Sequence, residues 1–159
     1  MTNTDERTAR LETLQDHMEQ SNVDLIAVAP TSNMRYLLGF SPLADERLCL
    51  LLITQEATRL VVPELNADQL EARAGVKGIR WSDDAGAEGA LARALGELGV
   101  HRPAVLAADA AMRADALLLL QQAAQPQRSI NAAGLMAALR MCKSDSETEA
   151  LTRAAAQAD

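Results

Sequence analysis

Residues 48–62 have the sequence LCLLLITQEATRLVV, and this stretch decides the fold of the 159-residue chain. It contains two apolar runs, Leu48–Ile53 and Thr58–Val62, each with the length and composition of a buried strand. Only Thr54–Ala57 lies between them. A link that short joins antiparallel neighbours, so the stretch predicts a β-hairpin.

A helix and a strand are predicted on the N-terminal side of the hairpin. The helix carries apolar residues spaced three and four apart, at Leu11, Leu14 and Met18. A buried strand follows at Val23–Ala29, and Pro30 closes it because proline cannot donate a ladder hydrogen bond.

Helices and strands alternate on the C-terminal side of the hairpin. In chain order we expect a helix over Glu64–Ala74, a strand over Ile79–Trp81, a helix capped within Ser82–Asp84 and ended by Gly99, a strand over Ala104–Ala108, a helix capped by Asp109 that runs to Ala124, and a short helix from Asn131 to about Arg140. One hairpin within such an alternation predicts an α/β fold. We expect three α/β/α layers with a mixed sheet that contains one antiparallel hairpin.

Charge and composition exclude several classes of function. The net charge is −7 and no Lys/Arg cluster occurs, which argues against a nucleic-acid partner. The longest apolar runs are too short to cross a bilayer, so no membrane partner is expected. Cys49 and Cys142 lack metal-ligand spacing, and we expect free, reduced thiols in a cytoplasmic protein.

No residue is predicted to be catalytic or to bind a metal within this sequence. His17 and His101 are isolated, and both are expected to face solvent. The adjacent acids Asp83 and Asp84 precede a predicted helix, where carboxylates usually cap the backbone; the same interpretation applies to Asp109.

The C-terminal residues predict the start of a further helix. Ser144-Asp145-Ser146-Glu147 is a capping box, in which the Ser144 hydroxyl and the Glu147 carboxylate satisfy each other's backbone N–H. The helix face of small residues that follows reaches Asp159 without an end signal. We therefore expect residues 1–140 to be one domain, and residues 141–159 to be a linker and the first helix of a following domain. The alternative is a frayed final helix of a complete domain.

Three segments, in chain order, resemble one enzyme family. Residues 30–40, PTSNMRYLLGF, are similar to its P-x-N-x-x-Y-L-T-G-F stretch, with Leu38 in place of Thr. Residues 41–43 (SPL) and 60–65 (LVVPEL) resemble microbial prolidases. Residues 139–159 resemble the segment L-R-x-x-K-S-x-x-E-I-x-x-L-x-x-A-x-x-I-A-D, with Cys142 and Thr148 where Ile is common. The chain thus resembles the N-terminal domain of the creatinase, prolidase and aminopeptidase P family, and is most like that of microbial Xaa-Pro dipeptidases.

This resemblance implies a two-domain parent enzyme. Its C-terminal domain would hold two divalent metals (manganese, cobalt or zinc) and hydrolyse the bond before proline in a peptide substrate. The metal ligands would all follow residue 159. The chain itself would be a non-catalytic domain that serves dimerisation and substrate access, with its own catalytic domain and a second subunit of a homodimer as partners.

The resemblance also implies substrate contacts in trans, because N-domains of the family overhang the neighbouring subunit's active site. Tyr36 and Phe40 are two of the three aromatic residues, and Arg47 lies shortly after them. We expect these three residues to contact the substrate of the partner subunit, with an aromatic ring against proline and Arg47 on a substrate carboxylate.

Two alternatives remain open from the sequence. One is a free-standing α/β binding or interaction module that lacks any catalytic domain. The other is the N-terminal domain of a creatinase-type amidinohydrolase, which would act on a non-peptide substrate.

Overall fold

The computed structural model describes residues Asn3–Ala158. In chain order the elements are α1 (Asn3–Gln20), β1 (Leu25–Val28), α2 (Ser32–Leu38), β2 (Leu50–Ile53), β3 (Thr58–Pro63), α3 (Glu64–Ala74), β4 (Gly78–Trp81), α4 (Glu88–Glu97), β5 (Val105–Ala108), α5 (Ala114–Ala124), β6 (Arg128–Asn131), α6 (Ala133–Met141) and α7 (Asp145–Ala158).

The six strands form one mixed sheet in the order β4-β3-β2-β1-β5-β6. Strand β2 is antiparallel to both β1 and β3, and the other neighbouring pairs are parallel. In the hairpin, Leu51 lies opposite Leu60. The antiparallel hairpin predicted from residues 48–62 is therefore confirmed.

Helices cover both faces of the sheet, because successive strand residues point to opposite sides. Ile26 and Val28 belong to a core shared with α1, α2, α3 and α6. Leu25 and Ala27 belong to a second core shared with α4 and α5. The three-layer α/β/α arrangement with a mixed sheet is confirmed.

All strands except β2 end at the same edge of the sheet, which we call the carboxyl edge. This follows from the strand directions, since β2 alone runs against its neighbours. The segments that follow β1, β4 and β5 therefore meet the segment that precedes β2 at this edge.

Three predicted helix caps are wrong. Helix α5 begins at Ala114, five residues after Asp109, and Asp109 is buried in the intervening turn. Helix α4 begins at Glu88, and no side chain of Ser82–Asp84 caps it. In both places a carboxylate binds a residue that is distant in sequence: Asp109 binds Thr31, and Asp83 binds Arg47. The N-cap of α6 is Ala132 rather than the predicted Asn131, although the Asn131 side chain, one residue earlier, accepts a hydrogen bond from the Ala133 N–H at 2.7 Å.

The sequence also did not predict strand β6. Its residues Arg128, Ser129 and Asn131 are exposed and Ile130 is only partly buried, so the hydrophobic pattern of a strand is missing. An edge strand is held by backbone pairing to its one neighbour, here β5, and needs little apolar content.

Candidate functional site

A buried carboxylate joins the segments that follow β1 and β5 at the carboxyl edge. Asp109 accepts hydrogen bonds from the Thr31 hydroxyl at 2.7 Å and from the Asn33 side-chain amide at 3.3 Å. The Ala111 N–H donates to the same carboxylate at 3.2 Å. Because these three donors compensate its burial, Asp109 serves to position the start of α2.

Thr31 and Asn33 also shape the start of α2 itself. Thr31 is the N-cap, and its hydroxyl oxygen accepts from the Asn33 N–H at 3.1 Å. The Asn33 side-chain oxygen accepts from Arg140 Nη1 at 3.2 Å, which links α2 to the end of α6. The polar residues after the first strand thus form a structural network.

Arg47 is held by Asp83 at the same edge of the sheet. Its Nε and Nη2 atoms donate to the two Asp83 carboxylate oxygens at 3.0 and 2.8 Å. This hydrogen bonding lowers the pKa of Asp83 and raises that of Arg47. Next to the pair, Trp81 Nε1 donates to the Leu48 carbonyl at 2.9 Å. Arg47 and Trp81 therefore fasten the start of β2 to the end of β4.

Tyr36 lies between two guanidinium groups. Arg10 is 4.2 Å from the ring centroid and Arg140 is 5.6 Å from it. Arg10 Nη1 also donates to the Tyr36 carbonyl at 2.9 Å. Burial raises the pKa of the Tyr36 hydroxyl, and the Glu147 carboxylate raises it further. This cluster connects α1, α2, α6 and α7.

The three residues expected to contact substrate in trans have different surroundings. Tyr36 packs among Arg10 and Arg140, whereas the Phe40 ring lies under Arg73 of α3, at 4.8 Å. Arg47 pairs with Asp83 instead. The contact of Tyr36, Phe40 and Arg47 with a substrate stays a prediction. Sequence reasoning missed Arg10, although its spacing of three and four from Arg7 and Glu6 on α1 marks one helix face.

The predicted capping box at the start of α7 is confirmed. The Ser144 N–H donates to Glu147 Oε2 at 3.0 Å, and the Glu147 N–H donates to Ser144 Oγ at 3.3 Å. Glu147 also pairs with Arg10 at 3.5 Å, and Ser146 Oγ donates to Glu6 at 2.6 Å. Residues 148–157 are all exposed. Helix α7 is thus anchored at its first turn and extends from the domain into solvent.

A groove of about 410 Å³ lies between α7 and the surface formed by α2 and the end of α6. We call it the α7 groove. It is lined by Tyr36, Arg140, Lys143, Glu147, Ala150 and Leu151.

The thiols and histidines do not assemble into a site. Both cysteines are free, as predicted: Cys142 is exposed, and burial raises the pKa of the Cys49 thiol to about 12. His101 is exposed as expected, but His17 is partly buried rather than solvent-facing, and its Nδ1 has no hydrogen-bond partner in the described part of the chain. Packing of α1 against the domain explains this difference.

The two-metal site that the resemblance implies would follow residue 159, so the described residues do not test it. Between Asn3 and Ala158 no three His, Cys, Asp or Glu side chains lie together in a way that could hold a metal ion. None of the helices in this range is long and apolar enough to span a membrane.

Comparison with known structures gives several similar proteins. Dipeptidase PepE from Mycobacterium ulcerans is 26% identical with a TM-score of 0.82, and the alignment covers 94% of this chain and 40% of that one. A dipeptidase from Pyrococcus horikoshii OT3 is 25% identical with a TM-score of 0.80, covering 88% of this chain and 38% of that one. The chain therefore spans about two fifths of the length of these enzymes.

A third similar structure consists of an N-terminal domain alone. It is the creatinase/prolidase N-terminal domain of an X-Pro dipeptidase from Streptococcus pyogenes, 18% identical with a TM-score of 0.69, and the alignment covers 77% of this chain and 92% of that one. At this identity the likeness concerns the fold alone. A comparison with curated protein sequences gave no match. The sequence pattern of the family described as "Creatinase/Prolidase N-terminal domain" matches residues 10–142. The chain therefore belongs to the creatinase/prolidase N-terminal domain family.

Proposed function

We propose that this chain is the non-catalytic N-terminal domain of a metal-dependent peptidase that hydrolyses Xaa-Pro bonds. The observation that carries the proposal is the alignment of 88–94% of the chain with only 38–40% of two dipeptidase chains, at 25–26% identity. Helix α7 supports it, because it leaves the domain at an anchored first turn with Leu151 58% exposed. An exposed face of that kind suits packing against a following domain.

In this proposal the chemistry belongs to the following domain. Two divalent metals (manganese, cobalt or zinc) would supply an activated water there, and the residues described here would hold neither metal. The present chain would contribute to dimerisation and to the shape of the substrate entrance of a cytoplasmic homodimer.

The test compares two proteins, the full-length gene product and the chain of residues 1–159. Each is incubated with Mn²⁺, Co²⁺ or Zn²⁺ and an Xaa-Pro dipeptide, with the metal alone as a blank. We expect chelator-sensitive hydrolysis by the full-length protein and none by the chain alone. Hydrolysis by the chain alone, or a full-length protein that cleaves creatine instead of Xaa-Pro substrates, would overturn the proposal.

The contacts proposed for substrate access need their own test. In the full-length enzyme, replacing Phe40 or Arg47 by Ala should raise KM or shift the preferred substrate length while metal content stays unchanged. Asp83→Ala is the matched control for Arg47, because it removes the ion pair but keeps the guanidinium. Wild-type kinetics for both Phe40→Ala and Arg47→Ala on every substrate length would limit these residues to a structural role.

A further inference from the structure

The α7 groove is positively charged although the whole chain carries a net charge of −7. Its single carboxylate, Glu147, is already engaged by Arg10 at 3.5 Å and by the Ser144 N–H at 3.0 Å. Among the described residues, Arg140 and Lys143 have no carboxylate within salt-bridge distance: Arg140 donates to Asn33, and Lys143 donates to main-chain carbonyls. Within residues 3–158, these two cations at the groove therefore lack a counter-ion.

The same groove presents apolar surface. The ring of Tyr36 forms one wall, and Ala150 and Leu151 of α7 form the other. Leu151 is 58% exposed. Water-exposed apolar side chains between unpaired cations are suited to a segment that carries both apolar and acidic groups.

We infer that the α7 groove seats a segment of the chain that follows α7 in the full-length protein, and that this segment presents an apolar side chain flanked by carboxylates. This inference rests on the proposed function, because it needs a following domain. Helix α7 itself forms one wall of the groove, so the chain that continues from it is tethered beside the site at high effective concentration. A 14-residue helix is marginal in water without such packing.

Protection of a thiol placed in the groove tests the inference in the full-length protein. In a Cys142→Ser background, one variant carries Leu151→Cys in the groove and the other carries Leu118→Cys on α5. The two leucines are matched, with exposed fractions of 58% and 65%, and α5 lies on the opposite face of the sheet. Buried Cys49 contributes little background, because its thiol pKa is about 12. We expect iodoacetamide to alkylate Leu151→Cys at least tenfold more slowly than Leu118→Cys.

The acidic character of the occupant is tested by charge reversal. Adding Lys143→Glu should accelerate alkylation of Leu151→Cys towards the rate of Leu118→Cys. The control Arg128→Glu makes the same change of charge on β6 and should leave the rate as it was. An unchanged rate with Lys143→Glu would overturn the acidic assignment.

The outcomes separate this inference from the proposed function. Equal rates for Leu151→Cys and Leu118→Cys in a protein that hydrolyses Xaa-Pro substrates would overturn the inference and leave the function standing. Protection of Leu151→Cys in a protein without peptidase activity would support the inferred occupant of the groove and refute the proposed function. Protection that disappears on dilution to the monomer would assign the groove to a second copy, which also overturns the inference.

Discussion

Arg47 and Asp83 connect two segments of the carboxyl edge that are not neighbours in the sheet. The guanidinium donates to both carboxylate oxygens, at 3.0 and 2.8 Å for the shortest contacts. Arg47 precedes β2 and Asp83 follows β4, while β3 lies between those strands. The ion pair therefore crosses the end of β3 and fixes the loop that carries Arg47.

Loss of this ion pair should be visible in the fluorescence of Trp81, the single tryptophan of the chain. With Asp83→Ala the loop before β2 loses its partner, and the Trp81 hydrogen bond to the Leu48 carbonyl weakens. We expect a red shift of Trp81 emission in the folded protein. Asp84→Ala, a matched change at the adjacent exposed acid, should leave the spectrum unchanged. The same red shift in both variants would refute the role of the pair.

Acid should act on the same contact. The pKa of Asp83 is lowered by hydrogen bonding to Arg47 from a reference value of 3.8. Its contribution to stability is therefore present above pH 3.8 and is lost as the pH falls through the lowered folded-state pKa. Urea titrations between pH 5 and about 2 should show a shallower acid loss for Asp83→Ala than for the wild-type chain.

The two cysteines should differ sharply in reactivity. Cys142 is exposed, while burial raises the pKa of Cys49 to about 12, so little thiolate forms there at neutral pH. Titration with a disulfide reagent at pH 8 should count one fast thiol in the folded chain and two in guanidinium. Cys142→Ser should remove the fast reaction. Two fast thiols in the folded protein would contradict the burial of Cys49.

The buried thiol also predicts an alkaline loss of stability. Because the pKa of Cys49 is raised in the folded state, its contribution to stability is fully present below the unfolded pKa of 9.0. This contribution is lost as the pH rises towards 12. Between pH 8 and about 11 the free energy of unfolding should therefore fall less steeply for Cys49→Ala than for the wild-type chain. Parallel pH slopes for the two proteins would show that Cys49 ionises as freely in the folded state.

Removal of the Asp109 carboxylate should destabilise the fold. Asp109→Ala leaves the Thr31 hydroxyl and the Asn33 amide without their acceptor in a partly buried setting, at a cost of about 1–3 kcal/mol. Chemical denaturation measures the change. The double variant Thr31→Val/Asp109→Ala should lose less than the sum of the single losses, because both act on one hydrogen bond. Strict additivity would contradict a coupled pair.

The sequence was sufficient for elements whose signals are local. Two apolar runs separated by four residues predicted the hairpin, and Ser144 with Glu147 predicted the start of α7, because each signal lies within a few neighbouring residues. Asp109 and Asp83 were misassigned as helix caps because their real partners, Thr31 and Arg47, lie 78 and 36 residues away. The residue type at one position cannot distinguish a helix cap from a long-range contact.

The candidate site shows the same difference between local signals and long-range contacts. In the sequence, the stretch after the first strand resembled a family motif, and Tyr36 within it was predicted to contact substrate. Its actual neighbours come from two other helices: Arg10 lies on α1, 26 residues before it, and Arg140 lies on α6, near the other end of the domain. The position of α1 over α2 and α6 brings them together, and only the packed fold determines that position.

The capping box should control the helicity of α7. Ser144→Ala removes the acceptor for the Glu147 N–H and should destabilise the helix by about 1 kcal/mol. Backbone chemical shifts over residues 145–157 report the helical fraction residue by residue. Thr152→Ala, in the middle of the helix, is the control and should raise helicity slightly because alanine is the better helix former. Unchanged chemical shifts in Ser144→Ala would mean that the contacts of Glu147 and Ser146 with α1 are enough to keep α7 helical without the capping box.

Gly78 at the start of β4 should tolerate no side chain. A Cβ atom there would overlap Val62 Cγ1 on the neighbouring strand β3, and the Gly78 N–H is fixed by a 3.0 Å hydrogen bond to Glu71. Because Val62 is fully buried between packed layers, neither strand can move aside freely. We expect Gly78→Ala to lower the free energy of unfolding by about 1–3 kcal/mol, the usual cost of overpacking.

Two further variants separate this overlap from a general effect of replacing glycine. Gly89→Ala lies on α4 with open space around its Cβ, so it should stabilise the chain by up to about 1 kcal/mol through helix propensity. Val62→Ala removes the methyl group that the new Cβ atom of Gly78→Ala would overlap. The stability lost by the double variant should therefore be smaller than the sum of the two single losses. Denaturant midpoints at constant m-value measure all four proteins. If Gly78→Ala is as stable as the wild-type chain, β3 and β4 can separate at this position, and the close approach of the two strands does not require glycine.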